Sequence, residues 1–164
     1  MRREAWKRGG RPANAPTRRV AQAAGWLGPG GPFHLDPVAT LADAVRSGAA
    51  AALDVLRPPT PDGTPPLGRT RAARALVDAV LPVLLLDADQ RDDRELEQAV
   101  LDAYRSLPAP TDRVVRQFAV AGLAARSAAQ AQGVHQLARA YCDEGRCARC
   151  AIGRDLYPAL AQTA

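Results

Sequence analysis

Three cysteines near the C-terminus are the residues of this sequence whose type and spacing could do chemistry. Cys142, Cys147 and Cys150 form the pattern C-x4-C-x2-C. Thiolates are soft ligands that suit zinc and iron–sulfur clusters, and the second half of the pattern places two sulfurs on one tight turn. Gly145 lets the intervening loop turn back on itself. The spacing therefore predicts a metal site, with zinc as the first candidate and an iron–sulfur cluster as the second.

A complete site would need a fourth ligand, because the chain contains no other cysteine. The candidates are His135, His34, a carboxylate, water or a group on a partner molecule. His135 precedes Cys142 by about two helical turns, so the loop must fold back to bring the two together. A histidine on a helix surface is the simpler interpretation of His135. Thiols without a metal and redox-active thiols are the alternatives for the cysteines.

The basic residues are the second group that could bind a ligand. The chain carries 22 basic and 17 acidic residues, a net charge of +5, and Lys7 is its single lysine. The guanidinium group of arginine binds phosphate and carboxylate groups bidentately, so this balance favours a polyanionic partner such as DNA or RNA. Codon bias and pairing with acidic side chains are the alternatives. The candidate anion-binding residues are Arg11, Arg18, Arg19, Arg146 and Arg149.

The remaining composition favours a reduced, cytoplasmic protein that does not enter a membrane. An odd number of cysteines argues against a disulfide framework. The charged segment Met1–Arg8 leads into no apolar region of the kind found in a secretory signal. The most apolar stretch, Ala79–Leu86, is far shorter than a membrane span.

Apolar residues recur every three or four positions along most of the chain, and this periodicity predicts helices. We expect an all-α fold, an irregular bundle of about six helices with a C-terminal cysteine loop. Leucine and valine are densest in the segment 69–87, which should be the central helix, with a kink or restart at Pro82. The other expected helices are 17–27, 37–56, 91–106, a helix or helix pair over 112–142, and a short last helix holding Leu156 and Leu160. In the first of these, the stripe predicted to face the core is Val20, Ala23, Ala24 and Leu27.

Proline and glycine divide this helical pattern. Residues 1–16 contain four arginines and two prolines and should form a basic, extended arm. Residues 17–164 are expected to form a single helical domain. Within it, residues 57–68 are a proline-rich linker that should be stiff and poorly helical.

Several short motifs resemble one known family. They are the stretches Arg11–Gln22, Leu67–Arg69, Val80–Pro82 and Tyr141–Gly153, together with Gln132. In these motifs the chain, from Trp6 to Leu156, resembles the C-terminal half of the bacterial domain-of-unknown-function family numbered 2851. Members of that family are longer, and their N-terminal half carries acidic and histidine motifs of the kind used by metal-dependent nucleases.

The resemblance implies a truncated or stand-alone C-terminal portion that packs against a separate nuclease-like half. The residues that match the family's motifs are Arg11, Asn14, Arg19 and the three cysteines, whose roles it leaves open. Asp78 and Asp112 stand where the family pattern has asparagine, which puts a polar network at those positions in doubt.

Two functions follow as hypotheses. The chain is expected to be a non-catalytic helical accessory module with a cysteine metal site that binds nucleic acid. The alternative is a protein-interaction role beside a separate catalytic half. Catalysis by this chain alone is not expected, because it has no Ser/His/Asp set and no phosphate-binding loop. The acidic run over residues 87–93 is better explained as a solvated helix start.

Overall fold

The computed structural model describes residues 15–156, except for the side chain of Leu156, and this part of the chain is all-helical, as the sequence predicts. Its only β-type pairing is an isolated bridge between Pro108 and Ser127. No helix between residues 15 and 156 is long and apolar enough to cross a membrane. The α-helices, in chain order, are α1 (Pro16–Leu27), α2 (Pro37–Arg46), α3 (Ala49–Val55), α4 (Arg69–Ala75), α5 (Leu81–Arg91), α6 (Arg94–Ser106), α7 (Arg113–Val120), α8 (Ala128–Leu137) and α9 (Ala151–Leu156).

Two π-helical turns join or extend these helices. The turn Leu76–Val80 connects α4 to α5, and the turn Ala138–Cys142 continues α8. The first of them directly precedes Pro82, whose ring and missing N–H do not fit a regular helix interior. The Leu81 N–H bonds to the Leu76 carbonyl across the widened turn. The expected irregularity at Pro82 is therefore a π turn that lets the helix continue.

The chain divides into two compact units, one extending to Ala103 and the other beginning at Tyr104. The division does not test whether the chain folds cooperatively, so the single domain expected over residues 17–164 stays a prediction. The basic arm expected over residues 1–16 lies almost entirely outside the described residues.

Two of the expected helices are split by glycines in the left-handed region of backbone conformation. Gly48 has a φ of 112° and separates α2 from α3. Gly122 has a φ of 89° and follows the end of α7. Side chains rarely adopt such angles, so glycine permits a sharp change of direction at both points.

The first unit is built around the helix that runs from α4 to α5. Leu76, Leu81 and Leu84 are fully buried. On its other side Val83 and Leu86 are more than half exposed. Part of the most apolar segment therefore forms an apolar surface that nothing within residues 15–156 covers. Of the acidic run over residues 87–93, only Asp93 starts a helix as expected, because its carboxylate accepts a hydrogen bond from the Leu96 N–H. Asp87 and Asp89 lie inside α5 instead.

The face of α1 that packs inward is the reverse of the expected one. Val20 and Leu27 are 66% and 63% exposed, whereas Gln22 and Gly25 are buried. The predicted apolar stripe is wrong as a core face, because α1 packs against the proline-rich segment 57–68. This segment forms no helix, so its backbone carbonyl groups need hydrogen-bond donors from elsewhere. Gln22 Nε2 donates to the Pro65 carbonyl over 3.0 Å.

Further contacts hold the proline-rich segment in place. Trp26 donates from its indole nitrogen to the Leu56 carbonyl, and the Arg57 guanidinium donates to the Leu67 carbonyl. Thr60 is buried and its hydroxyl donates to the Thr64 carbonyl. Residues 57–68 are therefore an ordered loop without helix, packed against α1, rather than a spacer between separate parts.

Candidate functional site

The second unit carries the cysteines, His135 and the larger net positive charge. Its two longest helices, α7 and α8, begin at side-chain caps. Asp112 Oδ1 accepts a hydrogen bond from the Val115 N–H over 3.0 Å, and the Ser127 hydroxyl accepts one from the Gln130 N–H. Such caps satisfy amide groups that the first turn of a helix leaves without a partner.

Asp112 also binds His135, which lies near the C-terminal end of α8. The distance from Asp112 Oδ2 to His135 Nε2 is 2.9 Å, and the two side chains are 22% and 33% exposed. Burial alone would raise the pKa of Asp112. The Val115 amide and the His135 ring more than compensate, and the pKa of Asp112 lies below its ordinary value. One carboxylate thus connects the start of α7 to α8.

This pairing bears on His135 as the expected fourth metal ligand. With Nε2 bound to Asp112, only Nδ1 of the ring is left for a metal. Histidines that bind metals commonly use a carboxylate in this way to orient the ring. Among the described residues, however, no three histidine, cysteine, aspartate or glutamate side chains form a group that could hold a metal ion. Metal binding by His135 and the cysteines stays a prediction.

The three cysteines lie on one short loop with three different exposures. Cys142 ends a π turn and is exposed, Cys147 begins a short 3-10 turn and is half-buried, and Cys150 is buried just before α9. Gly145, with a φ of 63°, turns the chain back, and its N–H bonds to the Cys142 carbonyl. The Cys150 N–H bonds to the Cys147 carbonyl over 3.1 Å, which forms the tight turn expected of C-x2-C.

The pKa of Cys142 is raised above its ordinary value. Desolvation raises this pKa first, and the negative charge of a Cys150 or Cys147 thiolate raises it further. Asp143 acts in the same direction. Loss of a proton from Cys142 is therefore disfavoured by its burial and by these negative neighbours, and a bound cation would act in the opposite direction.

Gly153 fixes the position of the loop on α9. A Cβ atom at this position would lie 2.2 Å from the Cys147 carbonyl oxygen, so no other residue fits without moving backbone. Gly153 lies in the motif Tyr141–Gly153, which by itself indicates no role for this residue. The sequence feature that could have identified this contact is the glycine itself, because alanine is normally preferred over glycine inside a helix.

The five candidate anion-binding arginines have different surroundings. Arg11 lies outside the described residues. Arg18 and Arg19 are half-buried on α1, and Arg19 donates to the Gln22 side chain over 2.7 Å. Arg146 is 3.5 Å from Glu144, whereas Arg149 is exposed and has no ion pair within residues 15–156.

The second unit contains further exposed arginines besides the candidates Arg146 and Arg149. From residue 104 onward the chain has eight arginines and four acidic residues, a net charge of +4, whereas residues 15–103 have nine arginines and twelve acidic residues. The sequence feature that could have identified this arginine excess is the uneven distribution of acidic residues along the chain. Five further arginines of this unit are exposed and form no ion pair in the described part of the chain: Arg113, Arg116, Arg126, Arg139 and Arg154.

Comparison with known protein families, with curated proteins and with solved structures finds no match to this chain. The resemblance of its motifs to the family numbered 2851 stays a prediction.

Proposed function

We propose that this chain is a non-catalytic helical accessory module that binds nucleic acid through the unit that begins at Tyr104. The observation that carries the proposal is the excess of arginine in this unit, where six exposed arginines lack an ion pair within the described residues. Nucleic acids are the polyanions that such a surface fits best, because each phosphate neutralised by an arginine releases bound counterions.

The exposed face of α7 supports this assignment most directly. Arg113, Arg116 and Gln117 are all exposed and occupy positions i, i+3 and i+4, which share one face of a helix. Asp112, the acidic residue beside them, turns one carboxylate oxygen to an amide of its own helix and the other to His135. Its charge is thereby partly offset, so it opposes a phosphate less than a free carboxylate would.

The proposal includes zinc in the cysteine loop. Three cysteines on one short loop suit the ion chemically, and a bound cation would offset the negative neighbours that, after burial, raise the pKa of Cys142. When bound, zinc would hold Cys142, Cys147 and Cys150 as thiolates. It would thereby connect the end of α8 to α9 and fix Arg146 and Arg149 between them. Its fourth ligand would be Asp143, His135 or water.

Fluorescence anisotropy with labelled duplex DNA and hairpin RNA tests the nucleic-acid proposal. We expect micromolar binding that weakens steeply as salt is added, and a variant with Arg113→Glu and Arg116→Glu should bind at least about tenfold more weakly. The matched control reverses Arg74 and Arg91, which are exposed but paired with acids of their own helix in the first unit. Equal losses in the two variants, or binding that ignores salt, would contradict the proposal.

Metal analysis of anaerobically purified protein tests the zinc part separately. We expect about one zinc per chain, lost in Cys147→Ser together with protection of α9 from hydrogen exchange. Cys150 is buried, so its substitution could unfold the loop by itself, and Cys142→Ser at the exposed thiol provides the check. If the protein contains iron and sulfide instead, the cysteine loop holds an iron–sulfur cluster and not zinc. If the protein contains no metal, the zinc proposal is wrong, and the nucleic-acid proposal is still tested by the anisotropy experiment.

A second candidate function is packing against a separate nuclease-like half. It is favoured by the uncovered face of α5, where Val83 is 53% and Leu86 57% exposed. The exposed residue Asp89 lies at i+3 from Leu86 beside this face, which suits a partner surface with a basic residue at its rim. Co-purification with a polypeptide carrying that half should be lost in Leu86→Glu and kept in Leu27→Glu. No co-purification with the unaltered chain would exclude this role.

A further inference from the structure

The exposed side of α8 carries amide and guanidinium groups and no carboxylate. The helix has ten residues and is continued by the five-residue π turn Ala138–Cys142, so the two together are about 20 Å long. Their core side is apolar, and Val134 is buried there. Gln132, Gln136 and Arg139 are exposed, and their spacing of i, i+4 and i+7 places them on one stripe. The stripe is therefore a continuous row of long polar side chains.

The fold makes no use of this stripe within residues 15–156. No hydrogen bond or ion pair in that range involves the side chains of Gln132, Gln136 or Arg139. Gln130 of the same helix differs, because its side-chain oxygen accepts a hydrogen bond from the Arg126 N–H over 2.7 Å. The sequence has no aspartate or glutamate between residues 113 and 142. The stripe thus offers hydrogen-bonding groups to a ligand in a positively charged segment.

The stripe lies beside the start of α7. On the surface of α8, His135 is the neighbour of Gln132 at i−3 and of Arg139 at i+4. Its ring binds the carboxylate of Asp112 over 2.9 Å, and Arg113 directly follows that residue in the sequence. The arginine proposed above to bind phosphate and the polar stripe of α8 are therefore neighbours.

Gly133 indicates that a ligand comes close to the backbone of α8. It is exposed inside the helix, and apart from the helix's own backbone no atom of the described residues lies within 4 Å of a Cβ added there. The described packing therefore does not require glycine, although glycine makes a helix less stable than alanine does. Gln136 is its neighbour at i+3, so the missing side chain leaves space directly beside the stripe.

We propose that α8 lies in the major groove of duplex DNA and recognises base edges there, while α7 binds the adjacent phosphates. This proposal rests on the nucleic-acid function proposed above and names its ligand. In the major groove a glutamine amide bonds to both polar groups of the adenine edge, and an arginine bonds to both acceptors of the guanine edge. Gln132 and Gln136 thus bind adenines, and Arg139 binds a guanine.

B-form DNA fits this face better than RNA does. Its major groove is about 12 Å wide and admits an α-helix, whereas the major groove of A-form RNA is too deep and narrow for side chains to reach the bases. A surface that binds only phosphates gains nothing from uncharged amides at its centre, because phosphate contacts come mainly with charge neutralisation. The amides beside the arginines therefore favour DNA bound with a sequence preference.

Selection from a pool of duplexes with a randomised centre, followed by fluorescence anisotropy, tests the proposal. We expect a selected sequence with adenine and guanine contacts to bind about tenfold or more tightly than its scrambled version at the same salt concentration. Replacing both Gln132 and Gln136 by alanine, which favours a helix, should remove most of this preference and weaken binding to the scrambled duplex much less. Gln90→Ala, at an exposed glutamine of α5 in the first unit, is the matched control and should change neither affinity.

The outcomes separate this proposal from the one on which it rests. Replacing Arg113 and Arg116 by glutamate should weaken binding to both duplexes alike, because phosphate contacts carry no sequence information. Binding that weakens with salt but is equal for all duplexes, or tighter binding to a hairpin RNA, overturns base recognition and leaves the nucleic-acid function standing. A preference that survives the loss of both glutamines overturns the assignment to α8. Absence of binding to every duplex and hairpin overturns both proposals.

Discussion

Replacing Asp112 by alanine removes two interactions of one carboxylate. Oδ1 caps α7 through the Val115 N–H, and Oδ2 pairs with His135 Nε2 on α8 at 2.9 Å. Loss of a helix cap costs about 1 kcal/mol, and loss of a partly buried hydrogen bond costs about 1 kcal/mol more. We therefore expect Asp112→Ala to lower the free energy of unfolding by about 2 kcal/mol.

Asp36→Ala provides the matched control. Asp36 caps α2 in the same way, by accepting a hydrogen bond from the Ala39 N–H over 2.9 Å, but it is exposed and binds no side chain of another helix. Its replacement should cost only about 1 kcal/mol. Urea unfolding followed by far-ultraviolet circular dichroism measures both losses, and a double-mutant cycle with His135→Ala isolates the pair. Equal losses at Asp112 and Asp36, or a coupling near zero, would refute the assignment.

The same carboxylate gives the stability a pH dependence whose sign follows from its pKa. The pKa of Asp112 lies below its ordinary value of 3.8 in the folded protein, so the unfolded chain binds the proton more tightly. The stabilisation is complete above that ordinary value and is lost as the pH falls through the lower folded value. Asp112→Asn keeps a capping oxygen without the charge. The difference in the free energy of unfolding between the unaltered protein and Asp112→Asn should therefore shrink in acid. A difference that does not change with pH would contradict the lowered pKa of Asp112.

Three further substitutions test the packing described above, each by urea unfolding. Gly153→Ala should cost about 1–3 kcal/mol, because its Cβ would overlap the Cys147 carbonyl oxygen. Gly133 lies inside α8, and no atom lies within 4 Å of a Cβ added there, so Gly133→Ala should instead stabilise the protein by up to about 1 kcal/mol. A loss of stability in Gly133→Ala would mean that another group occupies the space beside this residue. Gln22→Ala should cost about 1–3 kcal/mol, because the Pro65 carbonyl loses its donor, and an unchanged stability would mean that α1 does not depend on this bond.

Local signals in the sequence were sufficient for much of the fold. Apolar periodicity identified the helices, and the helix expected from residue 37 begins there, with the Asp36 side chain as its cap. Pro82 predicted an irregular helix. The cysteine spacing predicted a tight turn, which the bond from the Cys150 N–H to the Cys147 carbonyl confirms. Each of these features depends on residues a few positions apart, within reach of a single turn or helix.

The candidate site was less accessible to sequence reasoning. Asp112 and His135 are 23 positions apart, and no local pattern indicates that they meet. Gly153 approaches the Cys147 carbonyl only because α9 turns back onto the cysteine loop. The arginines without ion pairs were visible as composition, but whether an arginine is paired depends on which acids the fold places beside it.

Helix α1 shows most clearly which structural features the sequence alone does not determine. Periodicity determined that this segment is a helix with an apolar stripe, but a stripe defines a face and not the surface that covers it. The carbonyl groups of the proline-rich loop need hydrogen-bond donors, and Gln22 and Trp26 supply them from the other side of the helix. By itself the sequence determined the helices and the order of the cysteines. The tertiary structure decided which faces are buried and which charges are paired, because both depend on groups that are distant along the chain.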